Sequence, residues 1–529
     1  MSSSTSGGEG ERRHSRAQST AACALRAGSI AALGTTAPIA APTGDFLQRA
    51  SATGIALPYP ERSGIYPVLG SRNRPAAKEV VRLMRLLLIL PAYMPFVGGA
   101  QTFGRAISRR LTADGHRVTI LTTEAQQADD FWQPPPAGWT ALPQREEMEG
   151  AQVIRLPLAY PWPAPYRFGL ARRLTHLFAR LPLPAAWQRY LLRHFTRSMP
   201  PLLGLQSELS PLLAAADLVL VVDASWDGLF VGAAQAAIAQ TTPLVVVPLI
   251  HTGSPAITAR FCMAHQVAVY RQADAVIALS PPEQELLAGW GMEQARLHSL
   301  PLGVEAVDVA AAQKQSENVR RRYRLPEHFV LFLGATTYDK GAFTLAQMVA
   351  ELFLQGQEMH VVYAGPSQHQ LAMFRDIFPP RVRAILQERL HLLGVVDEGT
   401  KQALLAGCAV LALPSRVDSF GIVLLEAWQH SKPVVAAAIG GPASIIAHEE
   451  TGLLVPFDAP AALAAALQRI LNQPGLAARL GAAGRQVVTN QYTGEKCYDA
   501  LHQIFNHLCS VADAKDAKSN RMGRRDERL

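Results

Sequence analysis

The sequence predicts an α/β protein built from two doubly wound halves, and three observations carry that prediction. From Met84 onward, short β-rich apolar runs alternate with longer helical patterns, as expected of βαβ units and parallel sheets. The 529 residues suffice for two or more domains of about 150 residues each. The composition, 49% apolar and 17% charged with 39 Gly and 37 Pro, excludes disordered, collagen-like, coiled-coil and disulfide-scaffold proteins.

Residues 1–83 are rich in Ser, Ala, Gly, Arg and Thr and lack any sustained period. They read as a disordered extension or an over-long reading of the gene; a transit peptide and an interaction arm are the alternatives. Met84-Arg-Leu-Leu-Leu-Ile-Leu then reads as a buried strand. The first half, 84–300, has strands expected at 86–90, 118–122, 152–155, 218–222, 244–248 and 275–279, with helices such as Ala100–Ala113 between them. A polar stretch, Gln313–Arg324, reads as a connector. The second half, 318–490, has strands expected at 329–333, 360–364, 390–393, 409–412, 434–437 and 453–455. Helices are expected at Phe343–Gln355, Thr400–Ala406, Ile422–His430 and Ala461–Asn472. A last helix at Thr493–Leu508, within 491–511, is expected to cross back to the first half, and 512–529 to be a disordered tail.

The formal charge of +8 raises a nucleic-acid partner, but ten basic against five acidic residues lie in 1–83 and six against four in 512–529, so the body is nearly neutral. No nucleic-acid motif accompanies the charge. Five cysteines, Cys23, Cys262, Cys408, Cys497 and Cys509, form no C-x-x-C, which disfavours a disulfide framework and favours a reducing, cytoplasmic location. Cys262 and His265 have ligand-like spacing, yet no second such pair accompanies them, so no metal site is expected. Leu86–Leu90 stops at Pro91 and Leu212–Val222 is broken by Asp217, leaving no run near the ~18 residues of a membrane span.

Open parallel sheets bind ligands at the carboxyl ends of their strands. After the first strand, Gly98 and Gly99 precede a helix, where backbone N–H groups can approach a phosphate. The pattern is not G-x-G-x-x-G, which disfavours a dinucleotide fingerprint. His251 follows the fifth strand, placed to donate to a sugar hydroxyl or move a proton, or to be a satisfied loop histidine. Lys340 lies between the strand at 329–333 and a helix, suited to offset charge on a leaving phosphate or simply a loop lysine. The segment Pro414-Ser415-Arg416-Val417-Asp418-Ser419-Phe420-Gly421-Ile422 leads into a helix carrying Glu426. That helix's first N–H groups can meet a diphosphate. A carboxylate on its apolar second turn needs a partner, ribose hydroxyls or a nearby basic group. Asp418 and Glu426 are eight residues apart, at most ~12 Å if helical, too wide to serve one bond as an acid/base pair.

Over 84–511 the chain resembles family 4 glycosyltransferases of the GT-B fold, in which two Rossmann-like domains face across a cleft. The resemblance rests on P-S-x2-D-S-F-G-I-V-x2-E-A with the following K-P-V-V-A, G-G and E-T-G-L-L-V-P, and on M-R-L-L-L-I-L-P…G-G-A, G-H-R-V-T-I-L-T, A-D-A-V-I-A-L-S and P-L-G-V-E. It implies a donor site of Gly98, Gly99, Lys340, Arg416, Asp418, Ser419, Phe420, Gly421, Ile422 and Glu426. It implies catalytic roles for His251, Lys340 and Asp418, with Glu426 on the donor ribose. The family's first acidic position is usually Glu and is Asp418 here, and its diphosphate Arg is Ala335, so Arg416 is the expected substitute. The implied reaction is hexosyl transfer from a nucleoside-diphosphate sugar with retention, without metal or cofactor. The lack of a D-x-D agrees with metal independence. A catalytically impaired sugar-nucleotide-binding protein and a sugar-nucleotide epimerase of the same fold are the alternatives.

Residues 152–207 hold eight Arg and two His but no Asp or Glu. Arg189, Arg193 and Arg197 recur at i+4 beside Trp187, Leu191 and Leu192, a pattern of helices at anionic membrane surfaces, or else of a solvated face over the sheet. The membrane reading implies a glycan or lipid-linked acceptor and a peripheral position at the inner face of the membrane.

Overall fold

A computed structural model describes residues 82–526 except Pro136, Ala137, Pro161, Trp162 and Ser198. The extension assigned to 1–83 therefore lies, up to residue 81, outside the described residues.

Two sheets organise the chain. The first contains β1 (Arg85–Ile89), β2 (Arg117–Thr123), β3 (Arg145–Met148), β4 (Ala151–Leu156), β5 (Leu218–Val222), β6 (Leu244–Val247), β7 (Ala275–Ala278) and β8 (Leu297–Ser299). Its spatial order is β3-β4-β2-β1-β5-β6-β7-β8. All pairs are parallel except β3 with β4. The second holds β9 (Val330–Leu333), β10 (Val361–Ala364), β11 (Leu390–Gly394), β12 (Val410–Leu413), β13 (Val434–Ala437) and β14 (Leu453–Val455). Its order is β11-β10-β9-β12-β13-β14, wholly parallel. Helices cover both faces of parallel sheets, so central strands are buried on both sides and read as unbroken apolar runs. β5, β6, β9 and β12 are buried at every residue.

The strands read from apolar runs appear within a residue or two of their expected ends. β3, Arg-Glu-Glu-Met, was not expected, because an exposed antiparallel edge strand tolerates charge and needs no apolar run. β8 has three residues, too few for a period. The expected connector at 313–324 is instead part of a helix, Val309–Arg322, packed on helix Glu398–Gly407. Only Ala312 of it is buried, so its exposed face imitates a linker. Glu317 pairs with Arg320 at 2.8 Å and Arg321 at 3.2 Å within it.

The chain crosses between the halves twice, side by side. Val304 N donates to Tyr492 O and Gly494 N to Val304 O, both at 2.9 Å. The last helix, Gly494–Asp526, packs on helix Gly99–Ala113 and β5. Leu501, Phe505 and Cys509 are buried, and Tyr498 donates to Asp114 at 2.5 Å. It continues through residues 512–526, which the sequence had suggested would be disordered. Bidentate Arg110–Glu305 bonds of 2.6 and 2.9 Å lie beside the crossover.

Candidate active site

In the second sheet β9, β10 and β11 run outward one way from β9, and β12, β13 and β14 the other. The chain therefore reverses its winding between β9 and β12, which leaves a crevice at their carboxyl ends. Lys340 comes from the loop after β9 and Asp418 from the loop after β12. Lys340 Nζ lies 2.7 Å from Asp418 Oδ1 and 3.4 Å from the Val417 carbonyl. Burial pushes the Asp418 carboxyl upward, but the Lys340 charge and its hydrogen bond, with the Ser415 hydroxyl, hold it below the usual carboxylate range. Its other oxygen, Oδ2, is buried without a hydrogen bond of good geometry.

His251 enters from the first half, in the loop after β6. Burial first, and then the Lys340 charge, bring its pKa down to about 4 against the opposing pull of Asp418. The imidazole is therefore neutral near pH 7 and can donate or accept one hydrogen bond. Thr258 Oγ1 donates to its carbonyl at 3.1 Å, and the Phe261 ring stands edge-on with centroids 5.2 Å apart. The adjacent Thr252 Oγ1 is buried and unpaired. The Asp418 carboxylate and the Thr252 hydroxyl thus keep acceptor or donor capacity beside His251 and Lys340.

The two halves meet here through backbone. A Cβ on Gly253 would lie 1.8 Å from the Arg416 carbonyl oxygen, so only glycine permits this approach. Gly421, at φ 93°, precedes helix Ile422–Gln429, which no side chain caps, leaving its amino end for an anion. Phe420 is buried and Ser419 half-buried. Gly98 and Gly99 open helix Gly99–Ala113 at the carboxyl end of β1, also beside a reversal, between β1 and β5.

Glu426 is buried, and of the two partners the sequence allowed it the structure supplies the basic one: Lys401 Nζ lies 2.7 Å from Oε1. Burial raises the Glu426 pKa and Lys401 pulls it back only in part. Burial lowers the Lys401 pKa, but Glu426 and Glu398 together raise it above the ordinary value. Lys401 was missed because it lies 25 residues away, on another helix. Arg416 is not free: its guanidinium is 2.7 Å from Asp339 Oδ1 and lies over the Tyr338 and Phe457 rings at 5.3 and 4.7 Å.

Glu283 was also missed. It is fully buried and accepts from Ile250 N and Leu279 N at 2.8 Å each, pinning the His251 loop to the end of β7. Burial pushes its carboxyl up to about 7, against those two bonds. Its only sequence signal is an acidic residue in the first turn after Ser280-Pro-Pro, an ordinary helix start.

Residues 98–303 match the model for a glycosyl transferase 4-like domain, and residues 315–487 that for glycosyl transferases group 1. A D-rhamnosyltransferase from Pseudomonas aeruginosa is 34% identical over 163 residues, 30% of this chain and 40% of that protein. The matches span 40 to 61% of the first three curated relatives. Sucrose-phosphate synthase from Thermosynechococcus elongatus superposes with a TM-score of 0.58 at 21% identity, covering 81% of this chain and all of that one. Anabaena HepE in complex with UDP-glucose gives 0.55 at 17%, covering 81% and 100%. These structures share the GT-B fold with the chain. With both domain models in tandem across it, the chain belongs to the family 4-like, group 1 glycosyltransferases.

Proposed function

We propose that the chain transfers a hexosyl group from a nucleoside-diphosphate sugar to an acceptor, with retention of anomeric configuration and without metal or cofactor. The observation that carries this reading is the Lys340–Asp418 pair at the reversal of the second sheet, opposite a neutral His251. Lys340 and the amino end of helix Ile422–Gln429 receive the departing diphosphate charge. His251 hydrogen-bonds the transferring sugar, Glu426 the donor ribose, and the Gly98–Gly99 turn closes over the sugar. Retention follows front-side attack in which the departing phosphate oxygen takes the acceptor's proton. The HepE complex with UDP-glucose and the related D-rhamnosyltransferase support a nucleotide-sugar donor.

The test is a thermal-shift screen of nucleotide sugars, since a ligand at 100 times its Kd adds ~2.7 kcal/mol, followed by nucleotide-release assays. Stabilisation by one nucleotide sugar and its turnover, lost in Lys340→Ala and Asp418→Ala, is the expected result; undiminished turnover in both variants sinks the reading. A second reading, sugar-nucleotide binding without transfer, rests on Ala335 and on the engagement of Arg416 by Asp339. Donor binding with no turnover in any acceptor mixture selects it.

We place the protein at the cytoplasmic, anionic face of a membrane, where its acceptor is a glycan or a lipid-linked molecule. Among the described residues no helix is long and apolar enough to cross a membrane. Helices Ala164–Arg180 and Ala185–Thr196 pack together and expose Tyr166, Leu170, Leu177, Trp187 and Tyr190, with Leu181 exposed in the turn between them. Tyr166, Leu170 and Leu177 share one helical stripe, and Arg189, Arg193 and Arg197 are exposed on or just after the neighbouring helix. Such a surface suits an anionic interface. Flotation with anionic liposomes, abolished by Arg→Ser at 189, 193 and 197, is expected; flotation that ignores these changes removes the membrane placement.

A further inference from the structure

The first half holds a cavity of about 750 Å³ away from the Lys340–Asp418 pair. His176, Arg180, Gln188, Arg189, Arg260 and Arg271 reach into it, and neither Asp nor Glu lines it. Arg271 is tied to the Trp290 carbonyl at 2.7 Å. Arg180, Arg189 and Arg260 are exposed, and the cavity lining offers them no carboxylate. Their charges are close enough to be felt: burial lowers the His176 pKa, and Arg172, Arg260 and Arg180 lower it further. The one opposing carboxylate, Asp227, is engaged by His265 at 3.2 Å and Gln266 at 2.6 Å. Uncompensated guanidinium groups converging on one cavity repel one another unless an anion joins them. Planar forks of N–H donors suit phosphate oxygens two at a time.

The cavity shares a chain segment with the reaction site: Ala256, Ala259 and Arg260 line it a few residues after His251. Arg260 bears on both His176 and His251, and Thr258 and Phe261, which flank it in sequence, touch His251 directly. We propose that this cavity binds a phosphate or diphosphate group carried by the acceptor, placing the acceptor's nucleophile on the His251 side of the cleft. The inference rests on the transferase reading. The anion reaches the cavity either on a soluble phosphorylated acceptor or on a lipid-linked one.

The test is calorimetric titration of the full chain with inorganic pyrophosphate and, separately, farnesyl diphosphate. Every titration uses the Lys340→Ala background, in which the donor diphosphate site is disabled, and Lys340→Ala alone is expected to bind both probes. Arg180→Ser/Arg260→Ser, and Arg189→Ser independently, are expected to weaken both at least tenfold with an unchanged urea midpoint. Arg193→Ser/Arg197→Ser, on the same hairpin but outside the cavity, is expected to leave binding intact. Equal affinity for the probes supports the cavity with a soluble acceptor, and tighter farnesyl diphosphate supports it with a lipid-linked one. Binding that vanishes in Lys340→Ala, or persists in the cavity variants, overturns the proposal. If nucleotide sugars fail to stabilise the wild type while pyrophosphate binding still depends on the cavity arginines, the transferase reading falls and the anion site stands. If donors bind and pyrophosphate ignores the arginines, the anion site alone falls.

Discussion

Lys340 and Asp418, 78 residues apart in the chain, are joined at 2.7 Å across the ends of two neighbouring strands. The pair keeps a cation and an anion ready at one point, so each variant exposes the other's charge. Lys340→Ala removes the cation aimed at the leaving group and is expected to lower kcat roughly 100- to 1,000-fold. Asp418→Asn frees Lys340 and is expected to lower kcat less than Lys340→Ala does. Steady-state kinetics of both singles and the double variant measure the coupling, and strictly additive losses contradict a working pair.

Glu426 and Lys401 make a different case, because their contact is buried. Lys401→Met strands a buried carboxylate and is expected to cost about 3 kcal/mol in urea unfolding. Adding Glu426→Gln restores much of that stability without restoring donor affinity, since the ribose partner is still changed. A double variant that regains donor affinity shows that Glu426 does not face the donor.

The histidine gives a pH dependence whose sign is fixed by its environment. His251 has a folded pKa of about 4, below its ordinary 6.5, with Lys340, Arg260, Asp418 and Asp339 as its charged neighbours. The folded state binds the proton more weakly than the unfolded chain, so this contribution is complete above pH 6.5 and is lost as pH falls from there through 4. Urea midpoints from pH 7 to 4 should fall more steeply for the wild type than for His251→Gln. Parallel curves contradict the assignment.

Glu283 acts in the opposite sense. Its folded pKa of about 7 lies above the ordinary 4.5, so its contribution is complete below pH 4.5 and is lost as pH rises through 7. Glu283→Gln replaces one of two acceptors with a donor facing a backbone N–H, and is expected to destabilise by about 1–3 kcal/mol. Amide exchange at Ile250 and Leu279 should quicken in the variant, and unchanged protection at both contradicts the clamp.

Gly253→Ala inserts a methyl where the Arg416 carbonyl already stands. The clash lies between the halves, so activity is expected to fall at least tenfold while the urea midpoint stays near that of the wild type. Full activity means that the loops do not approach during turnover.

The sheets were legible because parallel strands buried on both faces leave apolar runs, as in Leu218–Val222 and Val434–Ala437. Lys340, Asp418 and His251 could be picked out as candidates because each lies in the loop that follows such a run. Lys401 and Glu283 were not: each is defined by a partner that only the folded chain brings near, 25 and 33 residues away. Helix Val309–Arg322 was hidden for the converse reason, a nearly all-polar surface over a single buried alanine.

The paired crossings at Val304 and Tyr492–Gly494 act as the spine of a book. Sliding one half past the other would tear both hydrogen bonds, whereas turning about the spine keeps them. Leaves turned fully about such a spine would meet where Gly253 already stands against the Arg416 carbonyl.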